Sequence, residues 1–408
     1  MHVGPSSSLQ QADPVLARRI VTLLMVLSLL GNMTLQVILP AMPRIQSDFH
    51  SPPGAVQLLV SLSFLVFGFA MLIYGPAADR YGRRPIYLVG MGLYTLGNLL
   101  CTMAPSLALL VAGRTLSSAG SAVSMVLPRA IVRDTHEGHN TAKVLSRIAI
   151  ISALAPMIAP PIGGLLSDAF GWRALFALLG VIGIISCALI YFLMPETLRE
   201  TGRPVKLWST VSSFGTLLRD RRFTGYALNG AFIPGAFFVY MTAAPFIYVG
   251  VLGLSATGYA MYYMTTVIGS LAGYLLAGRL AGRASIDRAL SLATWGCFAA
   301  AAVGALLPFI MPVTPWSLTL PVVALMIAAA VNAPNNQAAI VGGDPRTIGA
   351  ASGLAGFLQM IVGATLIEIV GVLPQNTPYP MTLSMLLSAA CALAAILWGR
   401  GKRNYGVP

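Results

Sequence analysis

Gly75-Pro76-Ala77-Ala78-Asp79-Arg80-Tyr81-Gly82-Arg83-Arg84-Pro85 is a short basic stretch between two apolar runs, 54–75 and 85–104. Each run is close to the roughly 20 residues that an α-helix needs to cross the hydrocarbon of a bilayer. Helices are required there, because lipid offers no partner to a backbone N–H or C=O. Outward from this stretch the same pattern recurs, at 18–39, 106–130, 143–166, 171–194, 223–249, 255–278, 287–311, 315–340, 347–373 and 380–399. Continuous apolar runs of this length do not resemble the alternating ten-residue strands of a membrane barrel. The expected fold is an all-α membrane protein with twelve transmembrane helices in two six-helix halves.

Composition agrees. Of the 408 residues 57% are hydrophobic and 9% charged, with a mean hydropathy of +0.79. A soluble domain carries about 25% charged residues. The net charge of +13 would point to nucleic acid on a soluble protein. Here its distribution gives another reason. With the N-terminus placed in the cytoplasm, all but three of the 25 Lys and Arg fall on cytoplasmic segments or their edges. The exceptions are Arg44 and Arg173 in outer loops and Arg114 within a span. This is the positive-inside bias, so no nucleic-acid partner is needed. Both termini are expected in the cytoplasm of a bacterial cell, with the chain in the inner membrane. The run that begins after Arg18 and Arg19 is too long for a signal-peptide core and reads as an uncleaved first span.

The polar linker 195–222 divides the chain, giving a tail 1–17, a half 18–194, a half 223–399 and a tail 400–408. Two parallel halves with a site between them near the midplane are a transporter layout. Cys101, Cys187, Cys297 and Cys391 lie in apolar runs without metal-ligand spacing, and no cofactor or metal is expected. No phosphate-binding glycine loop occurs, which argues against transport driven by nucleotide hydrolysis in this chain.

The stretch at 75–85 resembles the signature loop of the major facilitator superfamily, G-x-x-x-D-R-x-G-R-[RK], which joins the second and third helices. Its glycines permit a tight turn and close helix approach. Asp79 can pair with arginines or meet a helix N-terminus. The resemblance implies a conformational latch made of Gly75, Asp79, Arg80, Gly82 and Arg83 with Arg133 and Asp134 at the end of span 4. In span 5, Ala155-Pro156-Met157-Ile158-Ala159-Pro160-Pro161-Ile162-Gly163-Gly164 resembles the superfamily's antiporter motif, in the A-P-x-x-A-P-x-x-G-G form of the bicyclomycin-resistance subgroup. Pro156, Pro160, Pro161, Gly163 and Gly164 carry that likeness. It extends through Ile38-Leu39-Pro40-Ala41-Met42-Pro43, through Ala244-Pro245-Phe246-Ile247-Tyr248 and through Ala351-Ser352-Gly353-Leu354-Ala355-Gly356. The resemblance implies a monomeric secondary exporter of small, partly apolar compounds, exchanging them for protons by alternating access.

The chain departs from that subgroup in span 1. Where relatives usually carry an aspartate four residues before the proline of the Leu-Pro pair, Gln36 stands, one turn after Asn32. An amide cannot carry a proton. Glu368, in the outer half of span 11, is the acid that lies clearly within a span, and it is the candidate for proton coupling. Its alternative reading is a carboxyl at the lipid edge. An arginine in a span normally has a partner or a wet cavity. Arg114 therefore reads as a site residue, matching an arginine of the superfamily's drug exporters, or as a side chain snorkelling to the interface. Asn32, Gln36, Arg114, Tyr240, Asn335, Asn336 and Gln359 form the candidate substrate-binding set; interhelical hydrogen bonding is the other use for such polar groups. A positive cavity without a span-1 acid suits a second function, export of an anionic or siderophore-like molecule. A membrane sensor is a third.

Overall fold

Gly82 alone separates two long helices. In the computed structural model the helix of span 2 continues through the expected loop to Tyr81, and the next begins at Arg83. Ala77, Ala78 and Arg80 are good helix formers and keep the turn going. Gly82, at φ +100°, supplies the left-handed residue that ends it.

The structure describes residues 14–135, 144–145, 147–148, 151–152, 154–198, 214–280, 285–341, 348–374 and 376–399. Its helices are α1 (Pro14–Gln36), α2 (Met42–Asp48), α3 (Pro53–Tyr81), α4 (Arg83–Thr102), α5 (Leu107–Ser121), α6 (Val123–Thr135), α7 (Ala155–Phe170), α8 (Trp172–Leu193), α9 (Arg221–Pro245), α10 (Ala256–Leu280), α11 (Ile286–Ile310), α12 (Pro315–Val341), α13 (Ile348–Val372) and α14 (Tyr379–Gly399). The 3₁₀ turn Leu39–Ala41 joins α1 to α2, and the π turn Phe246–Val251 extends α9. Among the described residues, eleven segments are long and apolar enough to cross a membrane. Span 5 is represented by α7, with the rest of 143–154 only partly described. Residues 1–13, the tail 400–408 and residues 199–213 of the linker lie outside the described residues, and α1 takes in 14–17 of the expected first tail.

Large apolar side chains cover the outside of the helices, among them Ile184, Ile185 and Phe192 on α8 and Leu292, Leu306 and Phe309 on α11. Such a surface is stable against lipid and not against water.

Close packing divides the chain into two units. One comprises Met1–Val37, Phe69–Ala159 and Arg173–Val205; the other comprises Ile38–Gly68, Pro160–Trp172 and Lys206–Pro408. Spans 2 and 5 therefore each contribute to both. In the first unit α4 and α5 approach so closely that a Cβ on Gly113 would lie 2.9 Å from the carbonyl oxygen of Gly97. Small residues at such a crossing let dispersion contacts form backbone to backbone, which is how helices associate without a hydrophobic drive. In the second unit a buried polar knot ties four helices. Asn229 of α9 donates to Thr294 of α11 and to the Ala392 carbonyl of α14, while Asn332 of α12 donates to both Asn229 and Thr294.

Candidate functional site

The close α4–α5 crossing decides what surrounds Arg114. The residue follows Gly113 directly and is 0% exposed. Its Nη2 donates to the Thr34 carbonyl on α1. Thr34 in turn donates from its hydroxyl to Tyr94 Oη at 3.2 Å, and Asn98 donates to Ser117 at 2.9 Å. Arg114 Nε and Nη1 have no hydrogen-bond partner, and no carboxylate among the described residues pairs with the guanidinium. Complete burial removes the snorkelling reading. The result is a buried cation facing neutral dipoles, an arrangement that favours any anion or proton acceptor able to enter.

Asn32 and Gln36 are half-buried on α1, one turn from each other and each two residues, about half a turn, from Thr34. Asn32 donates to the Ser28 carbonyl of its own helix at 2.9 Å. Arg114 thus reaches α1 in the first unit through the Thr34 carbonyl, within two residues along the chain of both Asn32 and Gln36.

The latch residues in this unit are partly assembled. Arg83, 4% exposed, pairs with Asp79 at 2.6 Å and with Asp134 at 2.8 Å. Arg80 and Arg133 point to the surface, Arg80 lying over the Tyr81 ring. Gly75 faces Val126 on α6. Asp79 pairs with an arginine, and the helix N-terminus is met by another acid, Glu196, which sequence reasoning missed. Its carboxylate accepts from the N–H groups of Arg83 at 2.9 Å and Arg84 at 3.2 Å, and from those of Thr197 and Leu198. A side chain at 82 would collide with it, a Cβ there lying 2.5 Å from Glu196 Oε2. Gly82 therefore serves both the turn and this contact. Nothing in the sequence marks Glu196, because the contact joins residues more than a hundred positions apart.

In the second unit Tyr240 is fully buried in an aromatic cluster with Tyr248, Tyr259 and Tyr263. Tyr248 and Thr319 share a hydrogen bond of 2.7 Å. Asn336 is buried against Gly230 with its Oδ1 unpartnered; Asn335 is half-buried and donates to the Val331 carbonyl. Gln359 is half-buried on α13. Tyr240, Asn335, Asn336 and Gln359 all belong to the second unit, and Arg114 to the first.

Glu368 is half-buried on α13. The Ser61 hydroxyl of α3 donates to its Oε2 at 2.8 Å. One turn from Ser61, Gln57 is 0% exposed and both of its amide atoms lack partners. Of the motif in α7, Pro160, Gly163 and Gly164 are buried, and Pro156 and Pro161 half-buried. A Cβ on Gly164 would lie 3.0 Å from the backbone of Ala256 and Thr257, so α7 and the start of α10 touch at main-chain level. There Asp168 accepts from the Thr257 N–H at 3.0 Å and hydroxyl at 2.7 Å.

Comparison with known proteins gives a consistent picture. A family model described as Major Facilitator Superfamily matches residues 22–367. The MFS-type transporter YdgK of Bacillus subtilis is 31% identical over 388 residues, 94% of this chain and 96% of that protein. Multidrug resistance protein D of Escherichia coli is 28% identical over 390 residues, 93% and 96% of the two chains. A bicyclomycin resistance protein homolog of Haemophilus influenzae is 26% identical over 373 residues, 91% and 93%. Among solved structures, a D-xylose–proton symporter superposes with a TM-score of 0.73 at 13% identity, covering 94% of this chain and 97% of its own. At that identity the likeness concerns the fold alone. With its membrane helices, its signature stretch at Gly75–Pro85 and a family match over most of its length, the chain belongs to the Major Facilitator Superfamily and is a multi-pass membrane transporter, not an enzyme.

Proposed function

We propose that this protein exports small, partly apolar compounds from the bacterial cytoplasm across the inner membrane, in exchange for protons and by alternating access. The observation that carries this reading is its likeness, over more than nine-tenths of the chain, to relatives named for multidrug and bicyclomycin resistance. The halves 18–194 and 223–399 are the moving bodies, the protein works as a monomer, and both termini face the cytoplasm, as the Lys/Arg asymmetry requires. Asn32, Gln36 and Arg114 line the substrate path from the first half; Tyr240, Asn335, Asn336 and Gln359 do so from the second. Glu368 carries the proton, because Gln36 cannot.

One observation favours a second reading. Arg114 is buried with two unpartnered nitrogens, Nε and Nη1, so an anionic substrate would find a ready counter-charge. Purified protein in proteoliposomes separates the two. Uptake of bicyclomycin, chloramphenicol, a lipophilic cation and an aromatic carboxylate is measured with and without an imposed pH gradient. Gradient-dependent uptake of neutral compounds is expected. Uptake confined to the carboxylate and lost in Arg114→Ala would establish the second reading instead. Absence of flux for every compound would favour a sensor.

A further inference from the structure

Arg114 is a cation without a counter-charge in its own unit. By sequence, the acids of the first unit are Asp13, Asp79, Asp134, Glu137, Glu196 and Glu200, all in the tail, the linker or the polar ends of spans. Asp79 and Asp134 are both taken by Arg83, and Glu196 by the N–H groups at the start of α4. Most of α5 and α6 separates Arg114 from Asp134, roughly 30 Å along the chain axis. At 0% exposure Arg114 has no solvent surface either. A guanidinium keeps its proton in a protein, so the charge cannot be shed. Within a membrane it is costly unless an opposite charge or water meets it.

The donors left over point to an opposite charge. Arg114 Nε and Nη1 have no acceptor, and Nη2 has only the Thr34 carbonyl. Ser118, one turn along α5 on the same face, is 0% exposed with its hydroxyl unpartnered. Buried donors in folded proteins find an acceptor, a water or an ion. Asn98 Oδ1 on α4 is unpartnered too, and a water can bridge such an amide to a donor. Water leaves the charge unbalanced, whereas an anion satisfies the donors and the charge together. The walls around α5 restrict its size. On one side Gly113 meets the backbone of α4 at Gly97; on the other Gly31 of α1 meets Ser124, a Cβ there lying 2.8 Å from the Ser124 Cβ. Walls this close suit a monatomic anion and not a carboxylate on an apolar body.

We propose that Arg114 binds a halide, chloride in the cell, with the Ser118 hydroxyl as a second donor. The ion keeps the buried site neutral while no substrate is present. An anionic substrate must then displace it, and a neutral one need not. The ion stands on the geometry of the first unit; its competition with substrate rests on Arg114 being a substrate residue, as proposed above.

The test is direct binding. Purified protein in detergent is exchanged into gluconate and titrated with radioactive chloride by equilibrium dialysis. Wild type should bind chloride saturably, and bromide should displace it where sulfate and gluconate do not. Arg114→Gln should lose the binding. Ser118→Ala should weaken it about tenfold, as loss of one hydrogen bond to a charged group predicts. The thermal midpoint of wild type should rise over the same chloride concentrations, and that of Arg114→Gln should not. Absence of saturable chloride binding to wild type means that water alone meets Arg114 and overturns the proposal. Displacement by sulfate as strong as by bromide overturns the monatomic site. Unchanged binding in Arg114→Gln or in Ser118→Ala overturns the assignment to these residues. In proteoliposomes chloride should inhibit uptake of the aromatic carboxylate and spare that of bicyclomycin; equal effects on both would overturn the competition. Loss of transport for every compound would sink the proposed function and leave the dialysis result standing.

Discussion

Arg114 shows how far a single residue can be interpreted. A charged group at the centre of a span costs several kcal/mol unless something offsets it. Here the offset is one carbonyl and a ring of dipoles, with no carboxylate. A strong structural ion pair would make its removal destabilising. With no such pair, Arg114→Ala is expected to insert and fold normally while weakening substrate binding about tenfold, most for anionic compounds, equivalent to about 1.4 kcal/mol. Binding by scintillation proximity, compared with thermal midpoints in detergent, checks this. Asp79 gives a parallel case. Its side chain is 55% exposed and Arg83 keeps Asp134 if Asp79 is lost. Asp79→Asn should therefore leave membrane insertion and Tm unchanged yet cut transport about tenfold by weakening one conformational state. Wild-type flux from a well-expressed variant would remove the latch role.

At the scale of elements, the spans were legible because lipid enforces a simple code. Expected and observed ends agree within a few residues for α8 to α14, where long apolar runs stop at charged or helix-breaking residues. Where helices break inside the membrane the code is silent. The pause at Ala122 between α5 and α6 and the π turn after Pro245 leave little mark on hydropathy. The 75–85 stretch was legible as a motif and misjudged as a loop, since one glycine does the work of a loop there. The site was legible only as a set of residue types. Arg114 and Glu368 stand out as charges in apolar runs, but Ser61 and Glu196 are ordinary residues whose contacts come from partners distant in sequence. The Glu196 contact can be tested directly. Glu196→Ala frees the N–H groups at the start of α4 and should destabilise by about 1 kcal/mol. Gly82→Ala should destabilise at least as much, because the left-handed φ and the Glu196 contact oppose a Cβ together. In the double variant Gly82→Ala/Glu196→Ala the loss should be less than the sum, since the contact is shared. Thermal midpoints in one detergent measure all three.

For the whole molecule, the direction it faces decides whether the latch is cytoplasmic. The signature stretch and the ends of α3, α4 and α6 near it carry Arg80, Arg83, Arg84, Arg129 and Arg133. The opposite ends of the same helices carry none, and α1 and α2 bring only Arg44 there. Arginines near span ends are retained on the cytoplasmic side during insertion, whatever their later role. Arg44 and Arg173 are both held by main chain, Arg44 by the Ser167 carbonyl at 2.6 Å and Arg173 by the Ala104 carbonyl at 3.1 Å. Their presence outside thus has a structural use and does not weaken the bias. Two exposed positions decide the matter. A cysteine at Gly215, just before α9, should resist a membrane-impermeant maleimide in intact cells and react after permeabilisation. A cysteine at His50, between α2 and α3, should react in intact cells at once. The reverse pattern would place the latch outside and the Ser61–Glu368 contact inside. Protons would then reach Glu368 from the cytoplasmic side, while the direction of exchange would stay the same, because an exchanger moves its substrate against the proton flow whichever way it faces.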